Sequence, residues 1–200
     1  EGLGMIDETL AALIGPGRFA RTRLPDKSLA VSTGLAQYGR SNICYVAGMG
    51  SFVRLFTYYT DIPWDTDTVN SAPVMPACET CRRCLDACPT GSIRENRFCI
   101  DAERCLTHFN EHDGPFPDWI DLEWHNAIVG CMECQRACPQ NKDVIGKIER
   151  QVNFTEEETS LILNKSPLES TPGPLREKLD QLDMTEYYGV LKRNLRVLME

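Results

Sequence analysis

Apolar residues recur at helical spacing over residues 2–14, where Leu3, Ile6, Leu10, Leu13 and Ile14 share a face and Gly15-Pro16-Gly17 stops the run. A short amphipathic helix is expected there, and a second over 28–38, closed by Gly39. The residue types then change. Segments 42–46 and 52–60 are rich in β-branched and aromatic residues, and Gly48 to Gly50 between them predicts two strands joined by a glycine turn. Residues 61–77, with Asp61-Ile-Pro63-Trp64 and further prolines and acidic turns, read as a linker. Residues 78–145 alternate loop, short helix and loop. Beyond them Thr155 and Glu158 form a capping box opening a helix through Leu163. Residues 175–182 and 188–198 continue as amphipathic helices, with turns expected at Pro172-Gly173-Pro174 and Gly189. The leucine stripe of this tail fits packing. The fold class expected is α+β. A small α/β segment (1–70) is followed by a two-cluster, bacterial-ferredoxin-like module (71–150) and an α-helical tail (151–200).

The chemistry lies in the cysteines. Seven of the ten fall in two runs, Cys78-x-x-Cys81-x-x-Cys84-x-x-x-Cys88-Pro89 and Cys131-x-x-Cys134-x-x-x-Cys138-Pro139, and Cys105 lies between them. The first run is the pattern in which three cysteines of a tight loop hold one 4Fe-4S cluster and the fourth reaches its neighbour; the second lacks only the leading cysteine. Crossed ligation assigns Cys78, Cys81, Cys84 and Cys138 to cluster one. Cys88, Cys131 and Cys134, with one displaced cysteine, fall to cluster two. Cys105, at an expected helix start, is the better candidate for the displaced position than Cys99, which follows Phe98 in an apolar, strand-like stretch. Core packing is the expectation for Cys99 and Cys44, because a free cysteine often behaves as a small buried hydrophobe.

Zinc would use four ligands per site but gives no reason for the third cysteine of the first run or for the proline closing each run. Disulfides would need an oxidising compartment, and no secretory leader is visible. A radical-SAM site would need a different spacing. The expectation is reduced, metallated thiols in the cytoplasm.

The chain has 200 residues, 42% hydrophobic and 25% charged, the composition of one ordinary domain or of a domain with an appendage. No apolar stretch approaches membrane-spanning length. The formal charge is −8, and eight thiolates on two oxidised cores take it to about −12. Such a surface repels nucleic acid except at a basic patch. Arg82, Arg83, Arg136, Lys142, Lys147 and Arg150 are the gathering near the cysteines, read here as a solvated rim offsetting cluster charge. The chain opens at Glu1 without methionine, and a fragment or a processed product is expected.

The cysteine region, from Cys78-x-x-Cys81-Arg-Arg-Cys84-Leu-Asp-Ala-Cys88-Pro-Thr-Gly-Ser-Ile93 through Asp101-Ala-Glu-Arg-Cys105-Leu to Gly130-Cys-Met-Glu-Cys-Gln-Arg-Ala-Cys-Pro-Gln-Asn141, resembles the epoxyqueuosine reductases. Upstream, Gly34-Leu-Ala-Gln-Tyr-Gly39-Arg-Ser-Asn42, Gly50-Ser51-Phe52 and Thr60-Asp-Ile-Pro63 are similar to the segment preceding the clusters in that family, so the resemblance covers roughly residues 25–145. It implies an oxidoreductase with two 4Fe-4S clusters and Cys105 as the displaced ligand. It also implies cobalamin and a tRNA nucleoside substrate. Two departures bear on this. The family's acidic proton donor precedes a proline context followed by Glu-Arg. Here Arg23-Leu-Pro25-Asp26-Lys-Ser28 puts Asp26 after the proline with no Glu-Arg. The larger amino-terminal part that helps enclose the corrinoid is also shortened to about 30 residues, by comparison with the family.

Three functions follow as expectations. The first is an electron relay from a reduced ferredoxin or flavodoxin to an acceptor held near the glycine-rich segment, with the acidic surface favouring the oxidised clusters. The second is a complete cobalamin-dependent reductase. The third is a partner subunit whose clusters are structural.

Overall fold

The computed structural model describes residues 2–63, 74–147, 152–164 and 166–199. Two compact units divide the chain, Glu1–Cys81 and Arg82–Glu200, so the division falls inside the first cysteine run. Most of the linker expected over 61–77 lies outside the described residues.

In the first unit the expected amphipathic helix is α1, Gly2–Ile14, ended by Gly15 and Gly17 in the left-handed region (φ +94° and +76°). A strand not foreseen from the sequence, β1 (Phe19–Arg21), follows it. The helix expected over 28–38 is shorter and earlier. Helix α2 spans Asp26–Ser32, Gly34 turns the chain at φ +78°, and Ala36–Tyr38 becomes strand β2. A positive φ is open to glycine at no steric cost, so Gly34 ends the helix although the apolar spacing continues past it. Strand β3, Cys44–Val46, is antiparallel to β2, with Gln37 opposite Tyr45. Asn42, at φ 61°, closes the turn between them, its N–H donating to the Gly39 carbonyl at 3.0 Å.

The hairpin expected between 42–46 and 52–60 does not form. Val46 exchanges backbone hydrogen bonds with Gly50 at 2.9 and 3.0 Å, which closes the glycine turn on itself. The chain then runs on to strand β4, Tyr58–Thr60, which pairs antiparallel with β1. Ala30, Val31, Ala36 and Cys44 form the core of this unit, covered by Tyr38, Val46 and Leu55.

In the second unit two one-turn helices follow the cysteine spacing, α3 (Arg83–Asp86) and α5 (Glu133–Arg136), and they pack together. Each is ended by an alanine, Ala87 and Ala137, directly before a Cys-Pro pair. Between them lies α4, Leu106–Glu111, entered through Cys105, whose extended backbone (φ −67°, ψ 127°) makes it the N-cap residue.

The tail contains α6 (Glu156–Leu163), α7 (Gly173–Gln181) and α8 (Tyr188–Met199). The capping box forms in full: Glu158 N–H donates to Thr155 Oγ1 at 3.2 Å, and Thr155 N–H to Glu158 Oε2 at 2.7 Å. Two expected turns are instead the first turns of helices. Pro174 sits at the start of α7, where proline lacks only an N–H that would have no helical partner. Gly189 lies inside α8, and a Cβ there would meet the Asp113 carboxylate at 3.1 Å. That carboxylate stands at the positive end of the helix dipole. Ile162, Leu175, Leu179 and Leu191 are the buried core, so the leucine stripe packs inward as expected.

Candidate metal centre

Cys78 is buried in a single turn of 3₁₀ helix, Pro76–Cys78, and its carbonyl accepts from Arg40 Nη2. Cys81 follows, half-buried. In the second unit Cys84 lies in α3 and Cys134 in α5, and Cys88 and Cys138 stand two residues beyond those helices. Cys131 precedes α5 and Cys105 caps α4.

Four of these thiols lie near enough to Cys134 to act on it through their charge. Burial pushes its thiol up to about 12, and the neighbouring Cys131, Cys105, Cys88 and Cys84 push the same way. Burial likewise raises Cys131, against the lowering hydrogen bonds of the Asn126 side chain and the Glu133 N–H, while Cys105 adds to the rise. Burial first, and neighbouring thiols second, thus oppose ionisation of Cys134 and Cys131. A cationic iron core is the counter-charge that would let them ionise together, so metallation there releases protons. The donor set therefore fits an iron–sulfur core.

Several donors already point at sulfur. Ser92 N–H donates to Cys88 Sγ at 3.3 Å, and Thr90 Oγ1 lies 3.7 Å from the same sulfur. Burial opposes ionisation of Cys88, but the Thr90 hydroxyl and the N–H groups of Ile93, Ser92 and Thr90 outweigh it and hold the thiol below its ordinary value. Asn126 Nδ2 donates to Cys131 Sγ at 3.3 Å. Neither Ser92 nor Asn126 stood out in the sequence, where a serine or asparagine in a loop reads equally well as a turn residue. Among the described residues no three His, Cys, Asp or Glu side chains converge as the ligands of a single ion would.

Cys44 is 4% exposed within the first unit's core, as expected, and burial raises its thiol. Cys99 is the opposite: it is exposed, and the core-packing expectation fails. In its loop Arg94 and Arg97 both pair with Asp101. The basic rim is partly neutralised, with Arg82 paired to Glu95 and Arg136 to Glu133 at 3.4 Å. Arg83, Lys142 and Lys147 are exposed, and Arg150 lies outside the described residues. Among the described residues no helix is long and apolar enough to cross a membrane.

Residues 77–141 match the model of a 4Fe-4S double cluster binding domain. An epoxyqueuosine reductase of Xanthomonas campestris pv. campestris is 37% identical over 118 residues, 58% of this chain and 32% of that protein. The solved epoxyqueuosine reductase of Bacillus subtilis superposes with a TM-score of 0.70 at 23% identity, covering 98% of this chain and 52% of that one. A second solved epoxyqueuosine reductase, bound to a modified tRNA stem loop, gives 0.62 at 22% identity over the same shares. The chain spans about half the length of these solved relatives. It carries a 4Fe-4S double cluster binding domain and is similar to the epoxyqueuosine reductases over part of their length.

Proposed function

We propose that the chain is the electron-relay part of a reductase resembling epoxyqueuosine reductase. Cys88, Cys105, Cys131 and Cys134 hold one 4Fe-4S cluster. From the sequence spacing, Cys78, Cys81, Cys84 and Cys138 hold the other. The observation that carries this reading is the match of residues 77–141, which contain all eight of these cysteines, to a 4Fe-4S double cluster binding domain, together with the packing of α3 against α5, the helices that carry Cys84 and Cys134. Bound clusters supply one-electron transfer at potentials set by burial, charge and hydrogen bonding.

The chain's own residues do the rest. Short helices α3 and α5 fix the spacing of the thiolates they carry. Ser92 and Asn126 donate to ligand sulfurs, which stabilises the extra negative charge of the reduced state. A reduced ferredoxin or flavodoxin is the electron donor we infer, in a cytoplasmic setting.

The second reading is a complete cobalamin-dependent reductase acting on a tRNA nucleoside. The relative bound to a tRNA stem loop favours it. Against it stand the acidic balance and Asp26, which opens α2 and accepts a hydrogen bond from the Thr57 hydroxyl rather than standing free. Anaerobic protein should contain about eight iron and eight labile sulfide per chain, the complement of two cubanes. Zinc in their place would overturn both readings. Hydroxocobalamin titration separates them: a spectral change on binding supports the complete reductase, and none supports the relay.

A further inference from the structure

Two fully buried asparagines lie behind the cluster that Cys105 and Cys131 are proposed to hold. Asn110, on α4, is 0% exposed, and Asn194, on α8, is 1% exposed. Asn110 Nδ2 donates to the Gly130 carbonyl at 2.7 Å, so one side chain ties the helix that begins at Cys105 to the residue directly before Cys131. Asn194 Nδ2 reaches both sides of this junction, donating to the Asn110 carbonyl at 2.8 Å and the Ile128 carbonyl at 2.7 Å. Its orientation is fixed, because Asn194 Oδ1 accepts from Arg193 Nε at 2.9 Å. Arg193 is anchored in turn, its guanidinium donating to the carbonyls of Phe109, His112 and Gly114 and lying over the Phe116 ring at 4.0 Å.

The segment pinned in this way, 127–130, lies between Asn126 and Cys131, the donor and acceptor of the hydrogen bond to sulfur. Local contacts orient the Asn126 amide, whose Oδ1 accepts from the Met132 N–H at 3.1 Å and whose Nδ2 also donates to the Trp124 carbonyl at 3.1 Å, but the backbone between Asn126 and Cys131 turns on Gly130, a left-handed pivot at φ +76°. We infer that Asn194, from the carboxy-terminal helix, is a positioning residue for the second cluster: it holds the 127–130 segment so that Asn126 stays on the Cys131 sulfur, and thereby sets that cluster's reduction potential. Losing its two donated bonds frees the Ile128 carbonyl and lets the segment swing about Gly130. The Asn126 donor then withdraws, the reduced state loses its stabilisation and the potential falls. The inference rests on Cys105 and Cys131 being ligands.

The test is an anaerobic redox titration followed by electron paramagnetic resonance on the whole chain, with the wave abolished by Cys105→Ala taken as the second cluster's. Asn194→Leu, similar in size but without donors, should lower that midpoint, leave the other wave in place and keep the iron content of the parent. Should Asn194→Leu fail to fold, the smaller Asn194→Ser, too short to reach both carbonyls, is read instead. Leu191→Ala serves as control: it loosens α8 through the leucine core without touching these hydrogen bonds. An unchanged midpoint in a folded, fully metallated Asn194 variant would overturn the inference, and so would an equal drop in Leu191→Ala. A parent protein lacking the second wave altogether would instead remove the ligand reading beneath it.

Discussion

Asn126 bridges the entry to helix α5: its Nδ2 donates to Cys131 Sγ at 3.3 Å while its Oδ1 accepts from the Met132 N–H at 3.1 Å. One side chain thus orients a proposed ligand and supplies a dipole to its sulfur. Because the donor favours the more negative state, Asn126→Leu should lower the midpoint potential of the second cluster. The shift should be downward in a redox titration, with about eight iron retained, since no ligand is removed. An upward shift would mean that the donor is not acting on the reduced cluster.

Cys105 and Cys99 make contrasting predictions. Cys105 is the N-cap residue of α4 and acts on Cys134 through its charge, whereas Cys99 is exposed on a loop that carries the Arg94–Asp101 ion pair. Cys105→Ala should lower iron by up to about half, the share of one of two cubanes, and Cys99→Ala should leave it unchanged. Colorimetric iron and sulfide determination on anaerobically reconstituted protein decides between them, and the reverse result would exchange their roles.

Helix α6 depends on its capping box. Removing the Thr155 hydroxyl takes away the acceptor for the Glu158 N–H, so Thr155→Ala should cost about 1 kcal/mol, read as a lower denaturant midpoint at constant slope. Leu179, fully buried against Ile162, Leu175 and Leu191, should cost more. Leu179→Ala leaves a cavity in a packed core and should destabilise by about 2–5 kcal/mol.

Glu158 also gives a pH dependence of defined sign. The Lys178 ammonium, 2.7 Å away, holds its carboxyl below the usual glutamate range, with the Thr155 N–H assisting. A carboxylate favoured by the fold contributes stability above its unfolded value and loses it as the pH falls through the lowered one. The gap in thermal midpoint between the parent and Glu158→Gln should therefore be full at neutral pH and close only below about 4.3, the ordinary glutamate value. Circular dichroism melts across that range would show it, and a gap that widened on acidification would contradict the ion pair.

Local chemistry was legible from the residues alone. The cysteine intervals, the Thr155 capping box, the α1 stripe and the leucine tail each depend on neighbours a few positions apart, where covalent spacing fixes what can meet. The same holds for Cys105 as an N-cap residue at a helix start. What went unread depends on which of several conformations a glycine takes, or on partners distant in sequence. The pairing of β1 with β4 in place of a local hairpin turns on the Val46–Gly50 turn closing on itself, and the half-helix over 28–38 gave way because Gly34 could take a left-handed conformation. Cys99, apolar by context, stands exposed in a loop where Arg94 and Arg97 pair with Asp101.

The support behind the Asn126 sulfur donor was likewise a matter of tertiary structure. Asn126, Asn110 and Asn194 look like ordinary loop or helix asparagines until folding brings residues 66 and 84 positions apart within hydrogen-bond reach. Sequence spacing determined which side chains can ligate iron, because thiolate geometry on a loop is local. Only the fold decided which amides stand behind those thiolates, because a buried amide finds its partners wherever packing places unpaired carbonyls.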